Sequence, residues 1–312
     1  MEIITGDRCF QLNEDTAIAI GKFDGIHLGH QLLFKNLLKM KEVGLKTVVF
    51  TFDKPPLSVF LNDFEYRELD TIEEKRERLE KMGIDYLIEF PTTKESLSIP
   101  ANEFISEILC KQLRMKCVIA GDDVSYGYKG AGDSNLLRKL SQDYQYETQI
   151  IEKLTIEVDG KEIQMSSTYV RGLIENGRIE EANLLLEKPF SLYGEVVYGN
   201  QLGGSVLDTP TANVIWPLHK IVPKFGVYFT KIKIENTTYC GVTNIGKKPT
   251  VEGENLIGAE TYIFGFNGNI YGEYIEVRFC KFKRDEQKFG DLDILKEQIN
   301  KDVKDAKEYF LK

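Results

Sequence analysis

A chain of 312 residues with 42% hydrophobic and 29% charged side chains is long enough for two domains, each with its own core, and too apolar to be disordered. No apolar run approaches the roughly 18 residues of a membrane span, and the opening MEIITGDRCF carries charges where a leader would be apolar, so a cytoplasmic protein is expected. A formal charge of −9 argues against nucleic acid or an anionic membrane as partner, and five cysteines without a CxxC pair read as reduced thiols, neither a zinc site nor a disulfide frame.

Along the first part of the chain, short β-rich runs alternate with helical patterns. Strands are predicted at 17–23, 46–52, 85–90, 117–121 and 146–152, and helices at 30–43, 71–82, 101–113 and 134–141. The 71–82 helix is dense in charge pairs. This β-α order predicts a parallel sheet with helices on both faces and ligands at the carboxyl edge of its strands. After Pro189 the pattern changes to Tyr-, Val- and Ile-rich strands at 191–197, 227–235, 239–245, 261–266 and 274–281, separated by Gly, Asn or Pro. That predicts an antiparallel barrel or sandwich. Apolar residues Phe289, Leu292, Leu295, Ile299, Val303 and Ala306 then recur at helical spacing. The domain boundary is placed at 187/188, giving domains 1–187 and 188–312.

Two segments carry chemistry in their own right. His27 and His30, two of only three histidines, lie in GKFDGIHLGH, which leaves a strand and enters a helix. Gly25 and Gly29 permit close backbone approach, and the amides of a helix start favour phosphate. The imidazoles add donors without a permanent charge. No GxxxxGK[ST] phosphate loop occurs. Further on, Ser166, Ser167 and Thr168 stand where a helix begins, with Arg171 one turn later. Hydroxyls, free amides and a planar guanidinium suit a polyphosphate.

The GxFDGxHxGH segment resembles the HxGH signature of nucleotidyltransferases, in the form seen in bacterial bifunctional riboflavin kinase/FMN adenylyltransferases. Phe50–Pro56, Gly121-Asp122-Asp123 with Tyr126-Gly127, and Met165–Arg171 resemble further motifs of that family. Thr209-Pro210-Thr211-Ala212-Asn213, Gly241–Gly246 and Glu260 are similar, in order, to its kinase module. The resemblance implies a Rossmann-like nucleotidyltransferase domain followed by an antiparallel β-barrel with a C-terminal helix. It implies adenylyl transfer from ATP to FMN, giving FAD and pyrophosphate, and phosphorylation of riboflavin to FMN, both with Mg²⁺.

By the same resemblance, His27 and His30 are catalytic, and Gly21, Phe23, Asp24, Gly29, Ser167, Thr168 and Arg171 bind ATP. Asp53, Asp123 and Tyr126 lie on the flavin side. In the second domain Glu260 is the base, Thr211 and Asn213 hold the metal, and Gly203 and Thr209 contact the nucleotide. A monomer or weak homo-oligomer is expected. The chain departs from the family pattern in two loops. Val124–Lys129 has tyrosines where Phe and Arg are common, and the segment before Pro210 lacks an Arg and has Asp208-Thr209 in place of Gly-Phe. Two alternatives stay open: an FAD synthetase with an inactive or merely flavin-binding second domain, and a non-catalytic flavin sensor.

Overall fold

The computed structural model describes all residues except 7, 60–65, 159, 199–210, 250–254 and 312. The chain forms two compact units, Met1–Ser167 and Thr168–Lys312. In the first, the strands are β1 (Glu2–Thr5), β2 (Thr16–Ile20), β3 (Lys46–Phe52), β4 (Tyr86–Phe90), β5 (Met115–Gly121) and β6 (Glu147–Ile151). Between them run α1 (Leu28–Lys39), α2 (Ile72–Lys81), α3 and α4 (Ser134–Tyr144). Helix α3 starts as Ala101–Glu103 and continues through Phe104–Gln112 with widened turns, the Leu113 amide reaching back to the Ile108 carbonyl. A hairpin of β7 (Thr155–Val158) and β8 (Lys161–Gln164) follows β6.

The sheet runs β1–β4–β3–β2–β5–β6, every pairing parallel. Side chains alternate across it, as a strand requires. Ile18, Val48, Phe50, Ile88 and Val118 pack with Phe104, Ile108 and Leu137 of α3 and α4. Ala17, Ala19, Val49, Leu87 and Ile119 pack with Leu33, Phe34 and Leu37 of α1 and Leu79 of α2. The expected two-faced parallel sheet is therefore present. Strand β1 and the β7–β8 hairpin were not expected. Each strand is four residues long, and β1 is held by pairing with β4 rather than by its own pattern.

The second unit holds α5, which opens at the end of the first unit (Ser167–Glu175), then α6 (Ile179–Leu185), β9 (Ser191–Val197), β10 (Ala212–Ile215), β11 (Gly226–Ile234), β12 (Thr237–Pro249), β13 (Asn255–Ile263), β14 (Tyr274–Asp285) and α7 (Leu292–Phe310). Six strands close into a barrel, β10–β13–β12–β11–β14–β9, antiparallel throughout. Closure leaves no free edge, and it decides between the barrel and sandwich readings. Strand β13 begins six residues before the predicted start, because β12 pairs with it from Gly241↔Ile263 to Pro249↔Asn255. Inside, the hydroxyls of Thr230, Thr243 and Thr261 form a chain across three strands at 2.8 and 2.9 Å. Helix α7 lays Val303, Ala306 and Phe310 over Val227, Phe229 and Val242, and Arg284 grips the buried Asp302.

Candidate active sites

In the first unit, β2 pairs with β3 on one side and β5 on the other. The chain leaves β2 through α1 towards β3, and leaves β5 through α4 towards β6. The connections therefore diverge between β2 and β5, the switch point where open parallel sheets form a ligand crevice. The segment from Gly21 to His30 follows β2, and Asp122-Asp123 follows β5.

The loop after β2 is tightly folded. Phe23, Gly25 and Ile26 take positive φ angles of 48°, 81° and 40°. At Gly25 a side chain would be strained by the positive φ and would push Leu69 aside, since a Cβ would lie 2.4 Å from Leu69 Cδ1. Asp24 is buried, and its carboxylate accepts the Leu69 amide at 2.7 Å. Its own carbonyl accepts the Ser167 hydroxyl at 3.0 Å, joining the two predicted phosphate motifs. Phe23 is also buried, its ring edge-on to His30 at 5.3 Å. Gly21 closes β2 by donating to the Phe50 carbonyl.

His27 sits at the N-cap of α1 and His30 within its first turn. Their rings stack at 3.8 Å, 19° from parallel. The bare Cα of Gly29 allows this, as a Cβ there would lie 3.2 Å from His27 Cε1. Both Nδ1 atoms are buried and lack hydrogen-bond partners. An orphaned buried polar atom costs about 1–3 kcal/mol, so two together mark a place meant to be filled. Burial lowers His27 to about 4 against a partial opposing pull from Asp123. Burial, then His27, then Lys75 hold His30 well below its usual value. Both rings are therefore neutral near pH 7.

Asp123 is exposed and paired with Lys153 at 2.8 Å. Asp53 bridges the ends of β3 and β4, its carboxylate accepting the Thr92 amide at 2.8 Å. Tyr126 is buried, with its ring packed on Phe104 at 5.6 Å and against Gly132, while Tyr128 on the same loop is exposed. Thr168 and Arg171 lie on α5 in the second unit, Thr168 exposed and Arg171 half-buried.

The barrel assembles a second cluster. Thr211, just before β10, donates its hydroxyl to Glu260 Oε1 at 2.9 Å. Asn213 is buried, donates to the Thr211 carbonyl at 3.3 Å, and faces Glu260 across the strands. Asn244 of β12 faces Glu260 from the other side. Directly opposed residues share a face, so Asn213, Glu260 and Asn244 form one row. Sequence reasoning passed over Asn244, whose only signal was a polar residue inside a strand pattern. Gly203 and Thr209 lie outside the described residues.

Residues 9–169 match the FAD synthetase family and residues 186–310 the riboflavin kinase family. A bifunctional riboflavin kinase/FMN adenylyltransferase from Buchnera aphidicola subsp. Schizaphis graminum is 38% identical over 96% of each chain. One from Listeria monocytogenes is 36% identical, over 99% of this chain and 96% of its own. The crystal structure of a macrolide-efflux protein from Streptococcus pneumoniae superposes with a TM-score of 0.84 at 28% identity, covering 98% of both chains. Among the described residues, no helix of the present chain is long and apolar enough to cross a membrane. By its two matched regions and full-length relatives, this chain belongs to the bifunctional riboflavin kinase/FMN adenylyltransferase family.

Proposed function

We propose that this chain phosphorylates riboflavin to FMN in its barrel domain and transfers the adenylyl group of ATP to FMN in its sheet domain, yielding FAD and pyrophosphate. The observation that carries the reading furthest is the stacked pair His27 and His30, with both Nδ1 atoms buried and unpartnered, at the switch point of the sheet. In adenylyl transfer an FMN phosphate oxygen attacks the α-phosphorus of ATP as the bond to pyrophosphate breaks. Neutral imidazole N–H groups donate to the phosphoryl oxygens as charge grows there, with no permanent charge to overcome in the ground state. Gly21, Phe23, Asp24 and Gly29 shape the nucleotide seat, and Ser167, Thr168 and Arg171 bind the triphosphate. Asp53, Asp123 and the loop carrying Tyr126 border the flavin.

In the kinase step Glu260 takes the proton from the riboflavin 5′-hydroxyl, whose oxygen attacks the γ-phosphorus of ATP as the bond to ADP breaks, giving FMN and ADP. The Thr211 hydroxyl holds that carboxylate in place. A hydroxyl and an amide oxygen are hard donors that suit Mg²⁺, so Thr211 and Asn213 fit the metal, with Gly203 and Thr209 at the nucleotide. When bound, Mg²⁺ supplies charge neutralisation along the polyphosphate. We keep the functional boundary at 187/188, supported by the matches to 9–169 and 186–310. The reading also places the protein in the cytoplasm, as a monomer or weak homo-oligomer.

The test is a product assay by chromatography with ATP–Mg²⁺. Riboflavin is expected to give FMN and then FAD, and FMN to give FAD directly. FAD from FMN alone would remove the kinase half, and no FAD from either would overturn the whole reading.

A further inference from the structure

Helix α2 turns a charged side inward. Its buried residues are Glu74, Lys75, Arg78 and Leu79, of which only the last is apolar. A helix normally buries an apolar stripe, because desolvated charge must be recovered by close, well-directed partners. Those partners belong to the loop that carries the histidines. Lys75 Nζ donates to the Lys22 carbonyl at 3.3 Å and faces Glu68 at 3.5 Å. Arg78 Nη1 donates to the Gly25 carbonyl at 3.1 Å, and Nη2 pairs with the buried Asp70 at 2.8 Å. Between these two carbonyls, Asp24 accepts the Leu69 amide. Residues 22–25 are thus held at three points by the segment 68–78.

The geometry of the peptide group gives this grip a direction. Among the described residues there are no cis peptide bonds, and in a trans peptide the C=O and N–H point opposite ways. Drawing the Lys22 and Gly25 carbonyls towards α2 turns the amides of Phe23 and Ile26 away from it. Both of those residues hold positive φ, a conformation that non-glycine residues keep only when their surroundings impose it. The positive charge of Lys75 also reaches His30.

We propose that Lys75 and Arg78 are positioning residues for adenylyl transfer, fixing the peptide planes of residues 22–26 and through them the two histidines, without touching the substrate. The inference rests on the adenylyl-transfer reading above. It explains why a charged face is buried at a place where apolar packing would hold a helix at less cost in desolvation.

The test uses the full chain with Lys75→Met, Lys75→Arg and the double variant Asp70→Leu/Arg78→Met. The double variant is used because Arg78→Met alone would leave Asp70 buried without its partner. For Lys75→Met and the double variant, kcat for FAD formation from FMN is expected to fall on the order of 10²-fold, with a smaller change in KM for ATP. Lys75→Arg is expected to recover part of the loss. Riboflavin phosphorylation by the same preparations, and the melting temperature, are expected to stay near wild type.

In ligand-free protein, an NMR titration of the His30 ring is expected to move to higher pH in Lys75→Met. Among the described residues, the titratable groups acting on this ring are the stacked His27 and Lys75, with Asp123 acting on His27 in turn. Folded variants with wild-type kcat would overturn the proposal. So would parallel loss of both activities with a large fall in melting temperature, which marks a merely structural role. If wild type itself made no FAD from FMN, the functional reading would fall instead, and an unmoved His30 titration would then reject the positioning role independently.

Discussion

His27 and His30 present stacked rings 3.8 Å apart, with both Nδ1 atoms buried and without a hydrogen-bond partner. Two neutral imidazoles so placed are poor for stability and well suited to meeting phosphoryl oxygens. Replacing either by alanine is expected to lower FAD formation from FMN by about 10²–10³-fold, while riboflavin phosphorylation persists. Steady-state assays of both reactions on each variant check this.

The same burial makes stability depend on pH. An unfolded chain protonates His27 near its ordinary 6.5, whereas the folded chain refuses the proton until about 4. Between those values the unfolded state binds more protons, so stability falls as pH drops from 6.5 to 4 and is insensitive to this group above 6.5. The interval corresponds to about 3 kcal/mol. Urea unfolding at pH 7 and pH 4.5, followed by far-UV circular dichroism, is expected to show a smaller pH difference for His27→Gln than for wild type. An equal difference in both would reject the assignment.

In the barrel, Thr211, Asn213 and Asn244 surround Glu260. Glu260→Gln is expected to cut riboflavin phosphorylation by about 10²–10⁴-fold and to leave FAD formation from FMN intact. Asn244→Leu keeps a side chain of similar size in β12 but removes the amide beside the carboxylate. It is expected to lower kcat of the kinase step alone. Separate kinetics of the two half-reactions decide both.

Gly25 combines a φ of 81° with close approach to Leu69. Gly25→Ala is expected to destabilise the first domain by about 1–3 kcal/mol and to impair adenylyl transfer more than phosphorylation. Urea unfolding together with the two activity assays measures this. Wild-type stability in the variant would show that the loop tolerates a side chain there.

Much of this was legible from the chain. Near-continuous apolar runs such as Ala17–Ile20 and Lys46–Phe52 reveal a sheet buried on both faces, and the glycines around His27 and His30 place that pair at a strand-to-helix turn. Other features depend on tertiary partners. Strand β1 exists because β4 offers it an edge, and β13 extends to Asn255 because β12 pairs along its length. Lys75 and Arg78 read as members of charge pairs along α2, since only the fold brings the carbonyls of Lys22 and Gly25 against them. Asn244 belongs to a site only once β12 and β13 are in register.

The central claim is that two separate sites on one chain act in succession, and complementation tests it most directly. Given riboflavin and ATP–Mg²⁺, His27→Ala is expected to accumulate FMN, and Glu260→Gln to leave riboflavin unchanged. Mixed together, the two variants are expected to restore FAD, because FMN made by one is adenylylated by the other. If His27→Ala also fails to make FMN while folded, or if the mixture yields no FAD although each variant retains its own half-reaction, the account of two independent sites is contradicted.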